Sequence, residues 1–164
     1  MPKKAQIWGI DLAIALIIFS IGIIVLYVYS LNSPAESKEN MENLLYEGNA
    51  ITEIILSEGS PLNWSIENVT KLGILTNNKI DETKIKNFYN FTQTDYNKTK
   101  SIFNTRFDYL FFLSEPIMID SLEVPGLGKP GINKENINSR NLIKITRFTV
   151  YKEKPVTAYL YIWE

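Results

Sequence analysis

Hydrophobic positions follow three different rules along this chain. From Leu12 to Tyr29 the residues are apolar apart from Ser20 and Gly22, and no charge interrupts them. Eighteen helical residues rise ~27 Å, close to the ~30 Å hydrocarbon core of a bilayer, so this run predicts one membrane helix. Farther on, Met41, Leu44, Leu45, Ile51, Ile54 and Ile55 recur at helical spacing, while Glu39, Glu42, Glu47 and Glu53 take other positions. This is an amphipathic helix over residues 34–58. Ser33-Pro34-Ala35-Glu36 fits a capping box at its start, or the membrane helix continues through a kink at Pro34. Glu58-Gly59-Ser60-Pro61 ends it.

The third rule is alternation. From Val156 to Trp163 one face takes Val156, Ala158, Leu160 and Ile162 and the other Thr157, Tyr159, Tyr161 and Trp163, which predicts a strand covered on both faces. The amphipathic helix covers one, and a loop or a neighbouring subunit the other. Phe107 to Leu113 and Leu142 to Tyr151 are further strands, with Lys152-Glu153-Lys154-Pro155 as the hairpin connection. Two short helices are expected over 81–91 and, with Asp95 as cap, 95–103. Residues 61–78 read as irregular, with Trp64 and Val69 buried, a short strand around Leu72 to Leu75 and a turn at Asn77-Asn78. Residues 114–140, rich in Pro and Gly, read as a long loop, functional or mobile, with an exposed disordered connection as the alternative.

These elements give an α+β class: a long N-terminal helix, half membrane-spanning and half amphipathic, packed on a small antiparallel head. The boundaries are a basic leader at 1–5, a membrane helix at 6–32 and an outer domain at 33–164. One core is enough for that domain.

Composition narrows the chemistry. The 164 residues contain no cysteine and no histidine, which removes Cys and His nucleophiles, Ser-His-Asp triads and the commonest zinc ligands. Without Lys3, Lys4 and Asp11, the rest holds 15 basic and 17 acidic residues, so no basic field suggests nucleic-acid binding. Asp81/Glu82 and Glu135 with Asp120 lack metal-loop spacing. Gly126 to Lys129 lacks the spacing of a phosphate loop. No catalytic residue, cofactor or metal ligand is assigned. A membrane-tethered hydrolase built only on carboxylates, Lys or Tyr is the weakest of the functional readings.

Lys3 and Lys4 precede the apolar run and Asn32, Ser33 and Glu36 follow it, so the positive-inside rule puts the N-terminus in the cytoplasm and the head outside. Trp8 at one end and Tyr27 and Tyr29 at the other match the two headgroup belts. Four Asn-x-Ser/Thr triplets, at Asn63, Asn68, Asn90 and Asn97, fall on that outer side as possible glycosylation acceptors.

Three readings of the leader compete. A cleaved secretory peptide would use the small residues Ser33 and Ala35, but its apolar run is too long and Pro34 lies beside the cut. An uncleaved signal-anchor is the plain alternative. Lys3-Lys4-Ala5-Gln6, with Asp11 just inside and an uninterrupted apolar helix after it, resembles the class III signal of archaeal type IV pilin-like proteins. The spacing of Gly59, Pro61, Trp64, Val69, Gly73 and the helix at Tyr96 more loosely resembles heads of the same family. The resemblance implies that a prepilin peptidase cuts between Ala5 and Gln6 and that Asp11 serves assembly. Counting from Gln6, Asp11 is the sixth residue, where the family's acid is usually the fifth. The implied function is a structural pilin or minor pilin, with membrane lipid and other pilin subunits as partners. The other main reading is a monomeric, membrane-anchored binding or adhesion domain of the cell envelope.

Overall fold

The computed structural model describes residues 3–31 and 35–164, with side chains over 9–30 and 39–164. The chain divides into two units, Met1–Lys38 and Glu39–Glu164. The capping box and kink expected at Ser33 and Pro34 lie outside the described residues.

The first unit is built on helix α1, Lys3–Leu31. Its stretch Gly9–Ser30 is long and apolar enough to cross a membrane. Every described side chain along it is exposed, including Leu12, Phe19 and Leu26. Ser20 donates its hydroxyl to the Leu16 carbonyl at 2.8 Å, which satisfies the group without water.

The second unit is α+β. Helix α2, Ala35–Ile55, buries Leu44, Ile51 and Ile55 completely, with Gly48 and Thr52 on the same face. Gly48 is there because the sheet comes too close for a side chain: a Cβ would lie 2.6 Å from Ile145 Cδ1 and 2.9 Å from Ile162 Cγ2. Two expected stripe members are outside the core, Met41 at 38% and Leu45 at 48% exposure. Leu45 stands about 100° round the helix from Leu44. Met41 lies next to Asn40, which bonds Glu164 beyond the last strand. The helix also stops earlier than residue 58. The carbonyls of Ile55 and Ser57 are taken by the amides of Ile74 and Leu75 at 2.9 Å each, so the next segment receives the groups that the helix leaves open.

Strands β1, Leu75–Thr76, and β2, Lys79–Ile80, pair across Asn77-Asn78. Both asparagines have positive φ, 51° and 61°, as a tight hairpin turn requires. Val69 is only half-buried, whereas Trp64 is in the core. Helix α3, Glu82–Thr94, starts on Asp81, whose carboxylate accepts from the amides of Thr83 and Lys84. Helix α4, Tyr96–Phe103, starts on Asp95 and ends on the left-handed Asn104.

The main sheet has β3 (Asp108–Leu113), β6 (Leu127–Gly128), β7 (Leu142–Tyr151) and β8 (Lys154–Trp163), in the order β6-β3-β8-β7. All its pairs are antiparallel. The β7–β8 connection is shorter than expected. Tyr151 pairs with Lys154 and Val150 with Pro155, so only Lys152-Glu153 turn, with φ of 50° and 61°. Pro155 is tolerated because it is the second residue of β8, beyond the pairing of β3 with β8, which ends at Ala158.

Residues 114–140 are not a featureless loop. Strands β4, Ile117–Ile119, and β5, Leu122–Val124, form a hairpin across Asp120-Ser121. Ile117, Ile119, Val124 and Leu127 all enter the core. Gly128 extends the sheet by fitting against β3, where a Cβ would come within 2.9 Å of Leu110 Cα.

On β8 the inner residues Val156, Ala158, Leu160 and Ile162 are at most 4% exposed. The outer Thr157, Tyr159 and Tyr161 are half-buried, and only Trp163 on that face is closed off. The expectation of two covered faces therefore holds fully on one side and partly on the other.

Candidate functional site

In the first unit, Ala5 and Gln6 lie within α1, and their side chains are outside the described ones. Asp11 is exposed on the same helix and is the only charged residue between Lys4 and Glu36. It has no hydrogen-bond or ion-pair partner among the described residues. A carboxylate at the edge of an apolar span is costly in lipid, by roughly 2.5–3.5 kcal/mol at mid-depth, and is commonly retained for a partner.

In the second unit, Asn63, Asn68, Asn90 and Asn97 are all exposed. Asn63 and Asn68 stand on the irregular segment before β1, Asn90 within α3 and Asn97 within α4.

Two further features have chemistry. The outer face of the sheet is aromatic: the Phe112 ring lies 5.2 Å from Tyr159 and 5.0 Å from Tyr161. Lys144 Nζ sits 4.3 Å over the Tyr159 ring, and Phe148 on β7 is 83% exposed.

The second feature is a polar cluster that joins α4, β3 and the segment after β6. Asp108 accepts from Lys100 Nζ and Tyr96 Oη at 3.2 Å each and also from Lys129 Nζ. Tyr96 Oη in turn accepts from the Tyr109 amide at 3.0 Å, and Tyr109 Oη bonds Thr99 Oγ1. Burial works to raise the Asp108 carboxyl pKa, but the hydrogen bonds and charges of Lys129 and Lys100 outweigh it and leave it below its ordinary value. Burial pushes the Tyr96 and Tyr109 phenols up. The result is an ionised carboxylate held by two ammonium groups and the neutral Tyr96 phenol, with the Tyr109 phenol bonded to Thr99, and it fastens three segments together.

The other carboxylates singled out from the sequence have local work. Asp81 caps α3, Asp120 pairs with Lys86 at 2.6 Å, and Glu82 pairs with Lys152 at 3.3 Å. Among the described residues no group of three or more His, Cys, Asp or Glu side chains is placed to hold a metal. A shallow cleft of about 280 Å³ lies where Phe112, Glu115, Glu123 and Lys134 approach one another.

The Asp108 cluster had no sequence signal, because Lys100 and Lys129 flank it at distances set only by the fold. The β4–β5 hairpin did have one, since Ile117/Ile119 and Leu122/Val124 alternate on either side of Asp120-Ser121. Compared with known proteins, the chain matches no family model, no curated protein and no solved structure.

Proposed function

We propose that this chain is a structural subunit, a pilin or minor pilin, of an archaeal type IV pilus-like surface filament. The observation that carries the reading is α1. From Ile10 to Ser30 it is apolar on every side, its described side chains are all exposed, and the one charge in that stretch, Asp11, lies at its edge. A helix of that kind has to be covered by lipid or by other chains. Lys3-Lys4-Ala5-Gln6, at the N-terminal end of α1 and ahead of its apolar run, supports cleavage by a prepilin peptidase between Ala5 and Gln6. Lys3 and Lys4 also support an N-terminus inside and a head outside the membrane. An amphipathic helix packed on an antiparallel sheet is the head that such a subunit needs.

Cleavage would remove the leader lysines that could balance Asp11 in the membrane. The new α-amino group of Gln6, in the same or a neighbouring subunit, would then be its partner in assembly. Intact mass of the protein sheared from cells tests this: the chain should begin at Gln6, and Asp11→Ala should keep membrane insertion while lowering the sheared yield. A chain that starts at Met1 and leaves the membrane only with detergent would support the monomeric envelope-binding domain instead.

A further inference from the structure

The four Asn-x-Ser/Thr triplets are equivalent as sequence, but the backbone treats them differently. Modification at such a triplet needs the asparagine amide and the hydroxyl two residues later to be accessible together. In an extended segment, residues i and i+2 point to the same side. In an α-helix they stand about 200° apart, so on a helix with one buried face an exposed Asn sends the hydroxyl inward.

The helical case applies to Asn90 and Asn97, within α3 and α4, whereas Asn63 and Asn68 stand on the irregular, turn-rich segment before β1, where burial shows directly which way each end faces. In Asn63-Trp64-Ser65 the outer two residues are exposed, and Trp64 is 2% exposed with its indole N–H on the Gly73 carbonyl at 2.7 Å. Asn68-Val69-Thr70 repeats the pattern, with exposed ends around a half-buried Val69. The Asn68 carbonyl oxygen accepts from the Ser65 amide at 2.7 Å, and its Nδ2 has no partner among the described residues. Thr70 Oγ1 donates to the Ser60 carbonyl at 3.0 Å on the surface.

The helical triplets are closed. Thr92 is fully buried and donates to the Tyr89 carbonyl at 2.7 Å, while Phe91 before it is also fully buried. Thr99 is fully buried, donating to the Tyr96 carbonyl at 2.7 Å and bonded to the Tyr109 hydroxyl. Neither hydroxyl can be reached without opening the core.

We propose that Asn63 and Asn68 are the N-glycosylation sites of the folded head, and that Asn90 and Asn97 are not acceptors. The donor is a lipid-linked oligosaccharide. Asparagine Nδ2 forms a bond to the anomeric carbon as the C–O bond to the lipid phosphate breaks. The electron pair leaves with that phosphate, and the Nδ2 proton passes to a base of the transferase. In cells this rests on the outward orientation of the head.

The test uses the detergent-solubilised full chain with an oligosaccharyltransferase and a lipid-linked oligosaccharide, followed by peptide mass mapping. The native chain should carry sugar on the Asn63 and Asn68 peptides, with at least tenfold less on Asn90 and Asn97. The variant Leu160→Asp, once loss of its near-UV aromatic signal shows the head unfolded, should take sugar at all four. Comparable occupancy of Asn90 or Asn97 in the native chain overturns the proposal, as does none at Asn63 and Asn68. So does an unfolded variant that still refuses Asn90 and Asn97, because local sequence would then set the selection. In protein isolated from cells, sugar confined to Asn63 and Asn68 supports it. Four bare sites on a head open to external protease overturn the proposal alone, and four bare sites on a protected head overturn the orientation with it.

Discussion

Helices α1 and α2 follow one another in one chain and solve opposite problems. Along α2, Leu44, Gly48, Ile51, Thr52 and Ile55 turn to the sheet while Glu39, Glu42 and Glu53 are exposed. Along α1 there is no such choice, because large apolar side chains stand on all sides and none of those described is buried. The cover for α2 is within its own chain. The unit that holds α1 supplies no cover for its described side chains, and that asymmetry is the physical basis for proposing lipid or other copies. It also separates two kinds of evidence: α2 is tested by folding, α1 by insertion and assembly.

The largest effect should come from the surface that α2 and the short helices share with the sheet. Leu160 is fully buried at the centre of β8, and Leu160→Asp places an uncompensated charge there. We expect a loss of roughly 4 kcal/mol or more, a large part of the ~5–15 kcal/mol that holds a typical domain. Near-UV circular dichroism of the full chain in detergent should lose its aromatic signal, while membrane insertion through α1 stays as in the wild type. If insertion fell in parallel with folding, the two helices would not be independent in the way argued here.

How legible each part was depended on whether its signal was local. The period-two run at Val156 and the tight turn at Asn77-Asn78 depend on neighbouring residues, and both stand in the structure as expected. Asp95 was placed correctly because a cap acts within one turn. Met41 and Leu45 were assigned to the core wrongly, since helical periodicity does not say where the opposing sheet ends. Lys154 and Pro155 were assigned to a turn because of the proline, yet the register of β7 against β8 draws them into the strand. The 114–140 region was the main loss. Its Pro and Gly content hid two three-residue strands, and pairing of β6 with β3 is a long-range event with no local trace. Of the candidate sites, the accessibility of the four triplet hydroxyls was invisible for the same reason. It depends on which helix face meets the core.

Next in size is the contact that lets α2 approach the sheet. Gly48→Leu must push Ile145 and Ile162 aside, and overpacking of this kind costs about 1–3 kcal/mol, partly offset by better helix propensity. Chemical denaturation of the full chain should show a lower midpoint with an unchanged slope. An unchanged midpoint would mean that α2 rides on the sheet loosely.

A smaller and pH-dependent effect belongs to Asp108. Its folded carboxyl titrates below the ordinary value of 3.8, so the stabilisation is complete above about pH 4–5 and is lost as pH falls through the lowered folded value. Asp108→Asn should cost about 1 kcal/mol at pH 7, a modest figure because Lys129 is 40% exposed. As pH falls through the lowered folded value, the difference between the variant and the wild type should shrink toward zero. A cost that does not change at all as pH is lowered would assign the effect to packing and not to the ion pairs.

The smallest expected effect is the counterpart of Gly48 on the other helix. A Cβ at Gly22 would meet nothing within 4 Å, so Gly22→Leu has no neighbour in its own chain to displace. It also replaces the poorer helix former with the better one and adds apolar surface to a span already apolar. Head stability should therefore be unchanged, and insertion equal or slightly improved, as measured by the carbonate-resistant membrane fraction. The same Gly→Leu exchange would then cost about 1–3 kcal/mol in one helix and nothing in the other, for reasons of cover alone. A drop in sheared surface material with insertion intact would show that a neighbouring helix comes close at Gly22 and that part of the cover is protein. A drop in head stability would mean that α1 is covered within its own chain after all, and the contrast with α2 would fail.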